Sequence, residues 1–134
     1  GPAAAGAENG LRGARVLIMD DSKDSLEMLR LLLTFEGAVV TTAMNGEEGL
    51  RLAGREEFDL IVSDISMPMM DGYDFLKNLR ADQPHYATVP AIALTGFGRD
   101  EDVKRAQQAG FTTHLTKPLD FDQLLQVARA TLRK

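Results

Sequence analysis

Five short strand-like runs, 16–19, 38–42, 60–62, 89–94 and 112–116, recur along the chain, each followed by a stretch whose apolar residues keep helical spacing. This alternation constrains the fold more than any other feature. Parallel strands that follow one another need a crossover, and a helical crossover packs back on the sheet in one hand. The expected architecture is therefore a doubly wound α/β domain, a five-stranded parallel sheet with helices on both faces. The first helix spans Asp24 to Glu36, with Leu26, Leu29, Leu32, Leu33 and Phe35 spaced along it and Gly37 ending it. Asn45 is the expected N-cap of a second, which carries Glu47, Glu48, Leu50 and Ala53 and ends at Gly54. Tyr73, Leu76 and Leu79 mark the third, and residues 84–88 form a connection. The fourth runs from Asp100 to Ala109 before Gly110; Phe121, Leu124, Leu125, Ala128 and Leu132 mark the fifth.

At 134 residues the chain fits one domain, placed at 14–134 behind a Gly/Ala-rich tail or linker at 1–13 whose Gly1-Pro2 start resembles an expression scar. Cysteine is absent, which excludes disulfides, thiolate metal sites and thiol nucleophiles and suits a reducing compartment, so cytoplasm is expected. The apolar runs are too short to cross a bilayer, so no membrane contact is expected. A net charge of -5 argues against a nucleic-acid partner, which would need a basic surface.

Within this frame the stretch DLIVSDISMPMMDG, from Asp59 to Gly72, carries the most chemistry. Its apolar run suits a central strand buried on both faces, and Asp64 stands at that strand's carboxyl end, where open α/β sheets place their ligand crevices. Asp20 and Asp21 follow the first strand, Thr95 the fourth and Lys117 the fifth, so the topology gathers these residues at one edge. Three carboxylates so gathered repel one another unless a cation or proton compensates. Lys117 is one compensator; a hard divalent ion is the other, and magnesium, which keeps water while sharing ligands with phosphate oxygens, fits best. Taken singly, Asp64 and Thr95 could be turn caps and Lys117 a solvated charge. The six methionines read as core and loop residues, and His85 as a surface histidine.

In order along the chain, Asp20-Asp21, Asp64 with Met67-Pro68-Met69-Met70-Asp71-Gly72, Thr95-Gly96 and Lys117-Pro118 resemble the receiver domain of two-component response regulators. The resemblance covers about Arg15 to Arg133 and implies a flavodoxin-like (βα)5 fold with strand order 2-1-3-4-5. It implies that Asp64 accepts a phosphoryl group from the phosphohistidine of a histidine kinase or phosphotransfer domain. Asp21, Asp64 and the Ser66 carbonyl would bind Mg2+, with Asp20 acting directly or through water. Thr95 and Lys117 would contact phosphoryl oxygens, and Gly96 would leave the pocket open to the donor. His114 takes the place of an aromatic residue that turns inward when the switch residue Thr95 moves.

Such a domain signals rather than turning over a substrate, apart from its own phosphoryl transfer and slow autodephosphorylation. A flavodoxin-type cofactor protein would need a phosphate cradle after the first strand, where Asp20-Asp21 would repel phosphate. An aspartate-nucleophile phosphohydrolase would need D-x-D spacing there, and the acids are adjacent. A degenerate receiver used for docking would lack an acceptor or helper position, and none is missing. A receiver of a hybrid histidine kinase is the expected context, a free-standing response regulator the alternative.

Overall fold

Alternate residues of a β-strand point to opposite faces, and the three central strands are largely apolar and buried on both, so each face needs its own helical cover. The computed structural model, which describes residues 10–96 and 98–133, shows this arrangement. The elements, in chain order, are β1 (Arg15–Met19), α1 (Lys23–Phe35), β2 (Val39–Ala43), α2 (Gly46–Arg55), β3 (Leu60–Asp64), α3 (Gly72–Asp82), β4 (Ala91–Thr95), α4 (Asp100–Ala109), β5 (Thr113–Thr116) and α5 (Phe121–Leu132). All pairings are parallel and the strand order is β2-β1-β3-β4-β5. The expected topology is therefore the observed one.

Two core clusters lie on opposite sides of the sheet. Val16, Ile18, Leu60, Val62, Ile92 and Leu94 face Leu26, Leu29 and Leu33 of α1 and Leu124, Leu125 and Ala128 of α5. Leu17, Met19, Ile61, Ala91 and Ala93 face α2, α3 and α4, with Phe75, Leu76 and Tyr86 fully buried among them. Consecutive strand residues thus fall into different cores, so a one-residue slip of β3 would exchange both.

Several boundaries differ from those the sequence suggests. Phe35, counted on the apolar side of α1, is 88% exposed, and Met28 and Leu31 are also exposed; the inward face is set by Leu26, Leu29 and Leu33. Gly54 does not end α2, which continues to Arg55 with Glu56 as its C-cap. The connection 84–88 contains a short 3-10 turn, Pro84–Ala87, that places the Tyr86 hydroxyl 2.9 Å from the Ala53 carbonyl and 2.7 Å from that of Glu56. Of the expected tail, residues 1–9 lie outside the described residues. The rest of it is packed: residues 10–13 form a turn and Leu11 is fully buried in the α1/α5 core.

Candidate phosphoacceptor site

The carboxyl edge of the sheet is built from strand ends that the pairing register brings side by side. Asp64 closes β3 opposite Leu94, one residue before Thr95 closes β4, and the Lys117 backbone N–H donates to the Thr95 carbonyl at 2.8 Å. On the other side of β3, β1 ends at Met19, and the Asp20 N–H donates to the Ala43 carbonyl at 3.2 Å. The Asp20 carboxylate accepts from the Ser22 N–H at 2.9 Å, which turns the chain into α1, where Ser22 is the N-cap. Asp21 is left exposed between two anchored neighbours.

Asp64 itself is 5% exposed and Asp20 1% exposed, so both carboxylates are held in a largely dehydrated cleft. Lys117 Nζ lies 3.1 Å from Asp64 Oδ2 and 3.5 Å from Asp20 Oδ2. One ammonium therefore serves two buried acids, and the exposed Asp21 adds a third carboxylate: oxygens of Asp20, Asp21 and Asp64 lie within 4.8 Å of one another. The titration behaviour follows from burial first and from these charges second. Burial pushes the Asp64 carboxyl above its ordinary pKa; Lys117 opposes the shift and Asp20 adds to it. Burial alone would lower the Lys117 pKa, yet Asp64 and Asp20 carry it above its ordinary value. Burial thus favours the protonated form of Asp64, while the neighbouring acids hold Lys117 charged; with three carboxylates set against one ammonium, the cleft is short of positive charge.

Two further polar atoms have unmet demands. Thr95 Oγ1 is buried with no hydrogen-bond partner among the described residues, and Asp20 Oδ2, also without one, has only the 3.5 Å ion pair to Lys117, a costly arrangement unless another group completes it. The acids, the missing positive charge and the orphaned hydroxyl fit a hard divalent cation and an oxyanion, and the cluster could hold a metal ion.

The loop after Asp64 is shaped around the site. The Ser66 N–H donates to Asp64 Oδ1 at 3.3 Å, and Met69 takes a positive φ of 67°. Gly72 starts α3 hard against the strand end: a Cβ there would fall 2.6 Å from the Asp64 carbonyl oxygen, so any larger residue would displace the acid. At Gly96 an added Cβ would meet no atom of the described residues beyond its chain neighbours within 4 Å, which leaves room above the cleft. An apolar groove of about 390 Å³ opens beside Asp20 and Lys117 and is lined by Met28, Leu29, Pro118, Leu119 and Phe121.

Asp20, Asp21, Asp64, Thr95 and Lys117 thus meet at one edge of the sheet, as the sequence places them. His114 stands apart, partly exposed on edge strand β5 opposite Ala93, three residues before Lys117. His85 is exposed, and Phe97 lies outside the described residues. Of the residues adjoining the loop after Asp64, Tyr73 reads in the sequence only as part of a helix face, and Arg105 is not singled out. An arginine on a polar helix gives no periodic signal.

Residues 16–129 match the family of response regulator receiver domains. The chain belongs to that family. The receiver domain is 42% identical over 113 residues to the transcriptional regulatory protein GlrR of Escherichia coli, an alignment that spans 84% of this chain and 25% of GlrR. Among solved structures it resembles the chemotaxis protein CheY4 of Vibrio cholerae, with a TM-score of 0.85 and 34% identity over 89% of this chain and 98% of that one. It also resembles the receiver domain of the sensor histidine kinase PA1611 from Pseudomonas aeruginosa, a structure with a magnesium ion coordinated in its active-site cleft; the TM-score is 0.83 and identity 28% over 91% of this chain and 99% of that one. Receivers of both response regulators and kinases are therefore among its relatives. No helix among the described residues is long and apolar enough to cross a membrane.

Proposed function

We propose that this receiver domain takes a phosphoryl group from a phosphohistidine onto Asp64, in the cytoplasm, with Mg2+ bound by Asp21, Asp64 and the Ser66 carbonyl and with Asp20 close by. The observation that carries this reading is the buried Asp64 carboxylate, 3.1 Å from Lys117 and within reach of two further acids, in a cleft short of positive charge. In the transfer the bond from the donor imidazole nitrogen to phosphorus breaks and a bond from an Asp64 oxygen to phosphorus forms. Magnesium, when bound, neutralises charge on the moving group. Lys117, already 3.1 Å from Asp64, and the Thr95 hydroxyl, once drawn in, supply hydrogen-bond donors from the protein side. The donor would be a histidine kinase or a histidine phosphotransfer domain, and the receiver would belong to a hybrid kinase or stand as a single-domain regulator. No catalytic turnover of a separate substrate is part of this reading.

Incubation with acetyl phosphate and magnesium is expected to add one phosphoryl group, visible by intact mass and mapped by peptide analysis to Asp64. The label should be lost in Asp64→Asn. Full labelling of that variant would overturn the assignment.

Thr95 and His114 form the proposed switch. Drawing the Thr95 hydroxyl toward a phosphoryl oxygen would vacate space that the His114 ring, on the neighbouring strand, can enter; a neutral imidazole suits that burial better than a charged one. The His114 ring chemical shifts, followed at fixed pH, should move when beryllium fluoride binds and the ring enters that space, and unchanged shifts would remove His114 from the switch.

A further inference from the structure

The helix that follows the Thr95 loop is weakly held. Of the ten residues of α4, Ala106 and Ala109 are the buried ones, and they offer little apolar area. Its first turn is acidic, with Asp100, Glu101 and Asp102, and buries no large apolar side chain. What α4 has instead is a side-chain clasp onto α3. The Arg105 guanidinium carbon lies 4.3 Å from the centroid of the Tyr73 ring, and its Nη2 lies 3.7 Å from Asp71 Oδ2. The Tyr73 hydroxyl reaches back to donate to the Asp102 carbonyl at 3.5 Å. Tyr73 is buried beneath this contact at 4% exposure.

The partners of Arg105 are placed where the chemistry would be felt. Asp71 ends the loop that begins at Asp64, and its carboxylate caps α3 by accepting from the Asp74 N–H at 2.9 Å. Gly72, next in sequence, donates its N–H to the Ile65 carbonyl at 2.9 Å and packs against the Asp64 carbonyl. On the other side, the residues between Thr95 and Arg99 join β4 directly to α4. Arg105 therefore ties together the two chain segments that leave the cleft, one from Asp64 and one from Thr95.

We infer that Arg105 is a latch: its stacking on Tyr73 and pairing with Asp71 hold α4 in the resting position, and a shift of the Thr95 loop toward the Asp64 phosphoryl group must loosen it. The inference rests on the phosphoacceptor reading and adds to it the residue that sets the resting balance. A contact made in one state and lost in the other biases the equilibrium against the second state, and by linkage it weakens any ligand that favours that state. Releasing the latch should therefore strengthen the binding of a phosphoryl mimic at a site that Arg105 does not touch.

The test compares beryllium fluoride affinity, in the presence of magnesium, with amide hydrogen exchange along α4, in the parent protein and in Arg105→Met, Arg105→Lys and Tyr73→Phe. Arg105→Met keeps the length of the side chain and is expected to bind the mimic about fivefold more tightly, as suits the loss of one exposed cation–π contact with an ion pair. Exchange in α4 should rise while that of β1 and β3 stays unchanged, which separates an opened latch from general unfolding. Arg105→Lys, which keeps a cation over the ring, should fall between the two. Tyr73→Phe keeps the ring and should lose the smaller contribution of the hydroxyl. Unchanged or weaker mimic binding by Arg105→Met, or unchanged exchange in α4, would overturn the latch. Failure of the parent protein to bind the mimic at all would instead remove the phosphoacceptor reading beneath it.

Discussion

Asp64→Asn is expected to make the metal-free fold more stable at neutral pH, by about 1 kcal/mol or more, which is roughly 3–5 °C in midpoint for a domain of this size. The reason lies in where the carboxylate sits. Burial raises the Asp64 pKa, Lys117 offsets part of the rise and Asp20 adds to it. A carboxyl whose pKa is higher in the folded state than in the unfolded one binds its proton more tightly when folded. Its contribution to stability is then fully present below the unfolded pKa, and it is lost as pH rises through the folded pKa. Asparagine does not ionise and so escapes that loss. The stability gap between variant and parent should open across the same window and level off above it. Thermal melts without magnesium, from below the ordinary carboxylate range to neutrality, decide the point. A variant no more stable than the parent at neutral pH, or a gap that stays constant into acid, would contradict this account.

Asp21→Ala should weaken magnesium binding by at least about 10–100-fold, whereas Lys117→Ala should bind the ion as well as the parent or better. The two residues face the same deficit of positive charge from opposite directions. Asp21 supplies a negative oxygen within 4.8 Å of those of Asp20 and Asp64, and its loss leaves two carboxylates for the ion. Lys117 is already the cation of the cleft, at 3.1 Å from Asp64, so its removal lifts a repulsion that an incoming ion would feel. Phosphorylation of Lys117→Ala should nonetheless fail to produce the conformational response, since the ammonium that would grip the phosphoryl oxygen is gone. Titration of both variants with magnesium by calorimetry tests the division of roles; equal losses of affinity would refute it.

The alternation of strand and helix left few choices of topology, and the topology in turn told which residues would meet. Asp20, Asp64, Thr95 and Lys117 are far apart in sequence, yet each stands at or just after the carboxyl end of a strand, so a parallel sheet could only gather them. Helix limits were less legible. Phe35 satisfies helical spacing as well as Leu33 does, and spacing alone does not say which of two apolar stripes the sheet will cover. Gly54 resembled a stop, but a glycine can ride through a helix whose last turn is held by other contacts. Leu11 looked like part of a linker because its neighbours are small, and its burial depends on packing against α1 and α5, which no local pattern records. The Arg105 clasp was hidden for the same reason: it joins residues from two helices by contacts that leave no period in the sequence.

The clasp also has an optical consequence. The chain has two tyrosines and no tryptophan, so every near-ultraviolet aromatic signal above the phenylalanine background comes from Tyr73 or Tyr86. Tyr86 is fixed by carbonyls of Ala53 and Glu56 at the far end of the sheet, while Tyr73 lies under a guanidinium at the edge of α4. The difference spectrum between the parent protein and Tyr73→Phe therefore isolates a single chromophore at the latch. Its absorption and emission can follow α4 in real time, without an attached dye, as the cleft fills.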